Sequence, residues 1–185
     1  MDSLANILLS GKATAANALR IYDQLEPVEF PFMMGRWRGS GLQTGHRMDG
    51  LLEICGWYGK LFLDRERVHP LLCYTRSNKE LFAVNPDWIP MRLTFPKIKL
   101  LRNLLLLAKP ILQTNKPKAH LKMMAYRGKT SATMVYNAKP IHDHFRKIDE
   151  NRVMGLMVLK GDKDPYFFIL ERDMGPILAP NSPLN

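Results

Sequence analysis

Only two cysteines occur in 185 residues, Cys55 and Cys73, and they form no C-x-x-C pattern. That excludes a disulfide scaffold and a zinc knuckle, both of which need paired or clustered cysteines. Each is read as a small buried hydrophobe. No uncharged apolar run reaches the length of a membrane span. The first residues, MDSLANILLSGK, lack the basic n-region and the long apolar stretch of a secretory signal. A cytoplasmic location is therefore expected. Acid is missing from one long stretch: between Trp88 and His142 there is no Asp or Glu, against eleven Lys and Arg. The net charge is +10, yet outside that stretch 16 basic residues face 17 acidic ones. Any electrostatic function should belong to the same segment. Also lacking are a G-x-S-x-G elbow, a c-type haem C-x-x-C-H, and a P-loop Lys-Ser/Thr after the glycines of GSGLQTG. No motif names a reaction.

What is present is apolar residues at 46%, enough for one packed domain over 1–185. Lys12 to Leu25 reads as a helix, with Ala18, Ile21, Tyr22 and Leu25 at helical spacing and Pro27 beyond. GRWRGSG holds the first strand, Arg36 to Ser40. Asp49 then suits the N-cap of a helix running from Gly50 to Tyr58 and ended by Gly59. LLCYT and ELFAVN flank a polar turn and read as a β-hairpin. KIKLLRNLLLLAKP, if helical, gathers Lys99, Arg102, Asn103 and Lys109 into a narrow polar stripe. From Ala119 five strands follow one another through turn-like linkers, an antiparallel meander. The organisation is thus a helical segment (1–28), a mixed part (29–95), a basic leucine-rich helical insertion (96–118), the meander (119–174) and an irregular tail (175–185). About eight strands without βαβ alternation predict a mainly-β chain, closed into an antiparallel barrel with an N-terminal helix and helical insertions.

GRWRGSG, GHRMDGLLEICGWYGK and VHPLL together resemble the GXWXG domain family, which is bacterial and uncharacterised. The run from Tyr126 to Asp173 resembles the domain of unknown function that accompanies it. The resemblance covers roughly Leu19 to Asp173 and brings no reaction with it. More distantly, a Gly-x-Trp on the first strand and an Arg late in the last are similar to the calycin plan of lipocalins, fatty-acid-binding proteins and nitrobindins. That resemblance implies a calycin-like barrel in which Trp37 plugs one end and Arg172 packs over its ring. The basic leucine-rich insertion has no counterpart in a simple calycin.

PIHDHFRKID is the polar strand that most needs explaining. Alternation puts Ile141, Asp143, Phe145 and Lys147 on one face and His142, His144, Arg146 and Ile148 on the other. Two His and an Arg facing a lumen would hold an anionic head group; the alternative is a solvated outer face with Ile141 and Phe145 inward. A DxFR pattern recurring in the resembled family draws attention to Asp143, Phe145 and Arg146. The expected ligand-binding set is Arg127, Tyr136, Asp143, His144, Arg146, Trp57 and His46, with Met123, Met134, Met154, Met157 and Phe168 as apolar lining. The first function reading is binding of a small apolar or amphipathic ligand, a fatty acid or related acyl compound, under a lid around Leu51 to Tyr58. A second is a small isomerase- or hydrolase-type enzyme, with His144 or His46 as base oriented by Asp143 or Asp49. No cofactor is required and no metal is expected, because H-x-H at 142 and 144 has no third ligand. Haem is conceivable through His142, His144 or His69 by the nitrobindin analogy. Residues 97–122 offer an anionic membrane surface a partner. Nucleic acid is disfavoured, since the segment interleaves few aromatics.

Overall fold

Strand alternation along the second half of the chain, with three strands from the first, builds a closed antiparallel wall. The computed structural model describes residues 3–78, 80–89 and 100–175. In chain order the elements are α1 (Leu4–Ser10), α2 (Ala15–Gln24), β1 (Glu26–Pro27), α3 (Phe30–Met33), β2 (Gly35–Gly41), α4 (Leu51–Ile54), β3 (Trp57–Phe62), β4 (Val68–Tyr74) and β5 (Leu81–Ala83). A 3-10 turn at Pro86–Trp88 follows, then α5 (Leu100–Leu107), α6 (Lys109–Leu112), β6 (Ala119–Tyr126), β7 (Lys129–Tyr136), β8 (Ile141–Lys147), β9 (Arg152–Leu159) and β10 (Tyr166–Asp173). Eight strands form the cycle β8-β7-β6-β4-β3-β2-β10-β9, which returns to β8. β1 pairs with β8 and β5 with β4, outside the cycle. The fold is a mainly-β antiparallel barrel with N-terminal helices and helical insertions.

The wall separates two apolar clusters. Trp37, Trp57, Phe62, Met134, Phe145 and Phe168 meet inside. Outside, α1 and α2 lay Ile7, Ala18, Ile21 and Tyr22 on Met154, Leu156 and Phe167. Thr14 caps α2 by accepting from the Asn17 amide at 3.2 Å, so that helix begins three residues later than Lys12. α1 carries too short an apolar run to stand out in the sequence; burial of Ile7 on the barrel holds it.

The helix expected from Gly50 to Tyr58 is only one turn. Asp49 does not cap it: its Oδ2 accepts from the Thr44 and Gly45 amides at 2.8 and 2.7 Å, and Gly50 at φ 76° stands at the cap position. Trp57 and Tyr58 belong to β3 instead, where each gains a buried face of the wall. The leucine-rich helix breaks at Ala108, between α5 and α6, because Pro110 just beyond lacks the amide that would continue it. Residues 90–99, with Arg92, Phe95, Lys97 and Lys99, lie outside the described residues, as do Lys79 and 176–185. Among the described residues no helix is long and apolar enough to cross a membrane.

Candidate functional site

β3 departs from regular alternation, and the departure builds the site. Tyr58 and Leu61 join an outer cluster, while Trp57 and Phe62 face the lumen. The register against β4 shifts on both sides of Gly59. These bulges turn Trp57 and Lys60, three residues apart, toward the same interior. Gly59 has φ 150° and lies so close to the Trp37 carbonyl that a Cβ has no room. Gly39, within GRWRGSG, leaves the space that the Trp57 indole occupies.

β3 and β8 stand four places apart in the eight-strand cycle and so face each other across the lumen. Lys60 Nζ reaches Asp143 Oδ2 at 2.8 Å, with side-chain exposures of 3% and 1%. The ammonium also donates to the Pro70 carbonyl at 3.2 Å. Rings of Phe168, Trp57 and Tyr136 surround it, with centroids 5.1, 5.7 and 5.9 Å away. Such an aromatic cage favours a cation that water no longer solvates. Asp143 Oδ1 has no hydrogen-bond partner among the described residues, and neither has the buried Tyr166 hydroxyl. Burial pushes the Asp143 carboxyl above its ordinary value, against the opposing pull of Lys60 and His142. Burial, then the Asp143 charge, push the Tyr136 hydroxyl well up as well.

This pair forms part of the wall of a cavity of about 480 Å³. The rest of its lining is overwhelmingly apolar: Met48, Leu51 and Leu52 around α4, Met157 and Phe168 on the wall, and Leu101, Leu104, Leu105 and Leu112 from α5 and α6. Arg47 also lines it and pairs with Asp162 at 2.7 Å. Cys55 and Cys73 contribute thiols that burial keeps protonated, Cys55 pushed up to about 11. The volume and the ratio of apolar to polar lining suit a small-molecule site.

The residues singled out in the sequence divide between the two sides of the wall. Trp57, Tyr136, Asp143, Met157 and Phe168 line the cavity, and Met134 joins the interior core. Arg146 and His144 do not face it. Arg146 is 1% exposed beneath α2, its guanidinium 5.1 Å from the Tyr22 ring, donating to the Tyr126 and Lys129 carbonyls at 2.8 and 3.3 Å. His144 stacks on Tyr126 with centroids 4.0 Å apart, and its Nδ1 lies 2.9 Å from Thr133 Oγ1. Thus strand alternation carries His144 and Asp143 to opposite faces, so they form no acid–base pair. The outer face is buried but not solvated, because α1 and α2 cover it. Met154 lies there too. Arg127 sits in the β6–β7 turn at φ 47°, paired through Nε and Nη2 with Asp23. Met123 is exposed on the surface. His46 is tilted over the Tyr166 ring, centroids 5.5 Å apart, and accepts from the Met48 amide; Asp49 serves the loop amides instead of orienting it.

Trp37 is fully buried, and the Arg172 guanidinium lies 4.3 Å from its ring. Arg172 also donates to the Met34 and Phe32 carbonyls, and the Trp37 indole to that of Met33. This contact ties both ends of the barrel sequence together away from the cavity lining. The nitrobindin analogy calls for a histidine as the haem ligand, and among the described residues no His lines the cavity. No group of three or more His, Cys, Asp or Glu converges among them either.

Lys60 was not singled out by sequence reasoning. The available signal was a Lys within an otherwise apolar and aromatic run, GWYGKLFL, where a charge needs a partner.

Comparison with known proteins places residues 20–77 in a match to the GXWXG protein model, and residues 117–172 in a match to a domain of unknown function, DUF4334. A crystal structure of a protein from Thermomonospora curvata is 33% identical, with 92% of this chain and 95% of that one covered and a TM-score of 0.69. No curated protein matches. The two matched regions contribute strands to one barrel, β2 to β4 from the first and β6 to β10 from the second.

Proposed function

The chain belongs to the GXWXG protein family, and we propose that its barrel binds a small, predominantly apolar molecule, a fatty acid or related acyl compound. The observation that carries this reading is the cavity itself: about 480 Å³ of apolar lining with one buried ion pair in its wall. Leucines of α5 and α6 hold the chain of the ligand, Met48 and Met157 adapt to its shape, and Lys60 with Asp143 meets its polar end. The location is cytoplasmic, a reading supported by the two free thiols. Native mass spectrometry of freshly purified protein, followed by solvent extraction, tests it. A co-purified acyl species supports the reading. Failure of both fatty acids and the neutral fluorophore N-phenyl-1-naphthylamine to saturate the protein overturns it.

A surface partner belongs to the same reading. Leu100, Leu104, Leu107 and Ile111 of α5 and α6 are exposed, as are Trp88 and Lys116. These helices wall the cavity on one side and offer an apolar, acid-free face on the other, which suits an anionic bilayer from which an acyl ligand is drawn. Co-sedimentation with phosphatidylglycerol vesicles but not phosphatidylcholine vesicles is the expected result.

An enzyme reading is favoured by an observation other than a His–Asp pair. Lys60 and Asp143 form a buried ion pair in the wall of an apolar cavity, a common setting for proton transfer. Turnover of an acyl or carbonyl compound that Lys60→Met abolishes would select it over simple binding.

A further inference from the structure

We propose that the ligand's polar end is a carboxylate which takes the place of Asp143 at Lys60, and that binding draws one proton onto Asp143. This rests on the reading that the cavity holds an apolar molecule, and it assigns the head-group chemistry of that site.

Three observations carry it. First, among the described residues the cavity has two cations in its lining, and Arg47 is partly exposed and held by Asp162. Lys60 is the buried one, and its ammonium lies within reach of a molecule in the cavity. Second, the pair is neutral as it stands, with Lys60 balanced by Asp143 at 2.8 Å. An added anion would leave a net negative charge among Trp57, Tyr136 and Phe168. Uncompensated buried charge of this kind is strongly disfavoured. Third, Asp143 Oδ1 is buried without a partner beside the cavity. A proton there turns the carboxyl into a donor toward the incoming carboxylate, and hydrogen bonds to an ionised acceptor are the stronger kind.

The balance closes with one proton. Free carboxylate, one proton from solvent and the Lys60–Asp143 ion pair give a complex in which Lys60 and protonated Asp143 both donate to the carboxylate. No covalent bond changes and the buried site stays neutral. The groups that act on Asp143 are Lys60 from β3, Tyr136 from β7 and His142 on its own strand. Elsewhere the lining holds Arg47, Cys55, Cys73 and Tyr166. Of these, the tyrosines and cysteines are pushed by burial toward their neutral forms and supply no competing anion. Burial already holds the Asp143 carboxyl above its usual range, which lowers the cost of placing the proton there.

Calorimetric titration with decanoate, in two buffers of different ionisation enthalpy, counts the proton directly. Uptake close to one per decanoate is expected, and affinity should fall about tenfold per pH unit once both free decanoate and Asp143 in the empty protein are ionised. Asp143→Asn leaves Lys60 without its competing internal anion and should raise decanoate affinity at alkaline pH by about tenfold. Lys60→Met should lose decanoate while still binding N-phenyl-1-naphthylamine. Zero uptake in the unmodified protein overturns the proposal without recourse to any variant. So does an Asn variant that folds and binds decanoate no more tightly. If the neutral fluorophore binds and decanoate does not, this inference fails alone. If neither binds, the cavity reading fails with it.

Discussion

The two faces of β8 hold buried charges three residues apart, and they have different uses. Asp143 points inward, touches one amine and leaves an oxygen without a partner beside an apolar cavity. Arg146 points outward, where three backbone carbonyls accept from it and the Tyr22 ring covers it. Both residues are 1% exposed. Burial of a charge therefore does not by itself mark a binding site. The difference lies in whether open volume adjoins the charge. By that test Arg146 is a clamp between the hairpin β6–β7 and α2, and the Lys60–Asp143 pair is the polar part of a cavity wall.

Substitutions can break this contrast at several strengths. Trp37→Ala removes a fully buried indole and the ring under Arg172, and should cost about 4 kcal/mol in urea unfolding. A loss within about 1 kcal/mol would show that the contact does not hold the barrel together. Arg146→Ala leaves the Tyr126 and Lys129 carbonyls without their donor and should cost about 3 kcal/mol, with binding of a neutral fluorophore unchanged. This departs from the expectation, formed from the sequence, that Arg146 belongs to the ligand-binding set. Weakened binding at unaltered stability would restore that expectation and collapse the contrast between the faces.

A smaller effect concerns acid. Burial, then the charges of His142 and Arg146, push His144 down to about 4 from its ordinary 6.5. Between those values the unfolded chain binds a proton that the folded protein refuses, so this residue makes stability fall as pH drops through the window. Below about 4 both states are protonated and the loss levels off. Asp143, whose carboxyl is raised, acts in the opposite sense at acid pH, so the informative quantity is the difference between the protein and His144→Gln. The variant should show the shallower decline in Tm from neutral pH to pH 4, and equal slopes would refute the assignment. The smallest effect belongs to Arg127→Ala. Its pair with Asp23 is more than a third exposed on both sides, and loss of about 0.5 kcal/mol or less is expected by thermal unfolding.

Much of the wall was legible from pattern. The five strands after Ala119, the hairpin around residues 76–78 and the strand within GRWRGSG follow from alternation and turn chemistry, and the structure has them as β6 to β10, β4 with β5, and β2. The span from Asp49 to Phe62 was not legible in the same way. Its apolar spacing fits a helix as well as a strand, and only pairing with β2 and β4 selects β3. Lys60 escaped notice for the same reason, since the bulges at Gly59 place it inward out of step with simple alternation.

Local chemistry, then, was enough to determine the strand-rich class, the closing of strands into a barrel, and the confinement of positive charge to one acid-free segment. Alternation along β8 is likewise a local property, and it alone separates Asp143 from His144 and Arg146. Which of those faces looks inward was decided only by the tertiary structure. A strand alternates identically whichever side meets the lumen, and the choice depends on α1 and α2 covering one side and on β3 facing the other with Lys60. Those partners lie more than 80 residues away along the chain, beyond the reach of any local pattern.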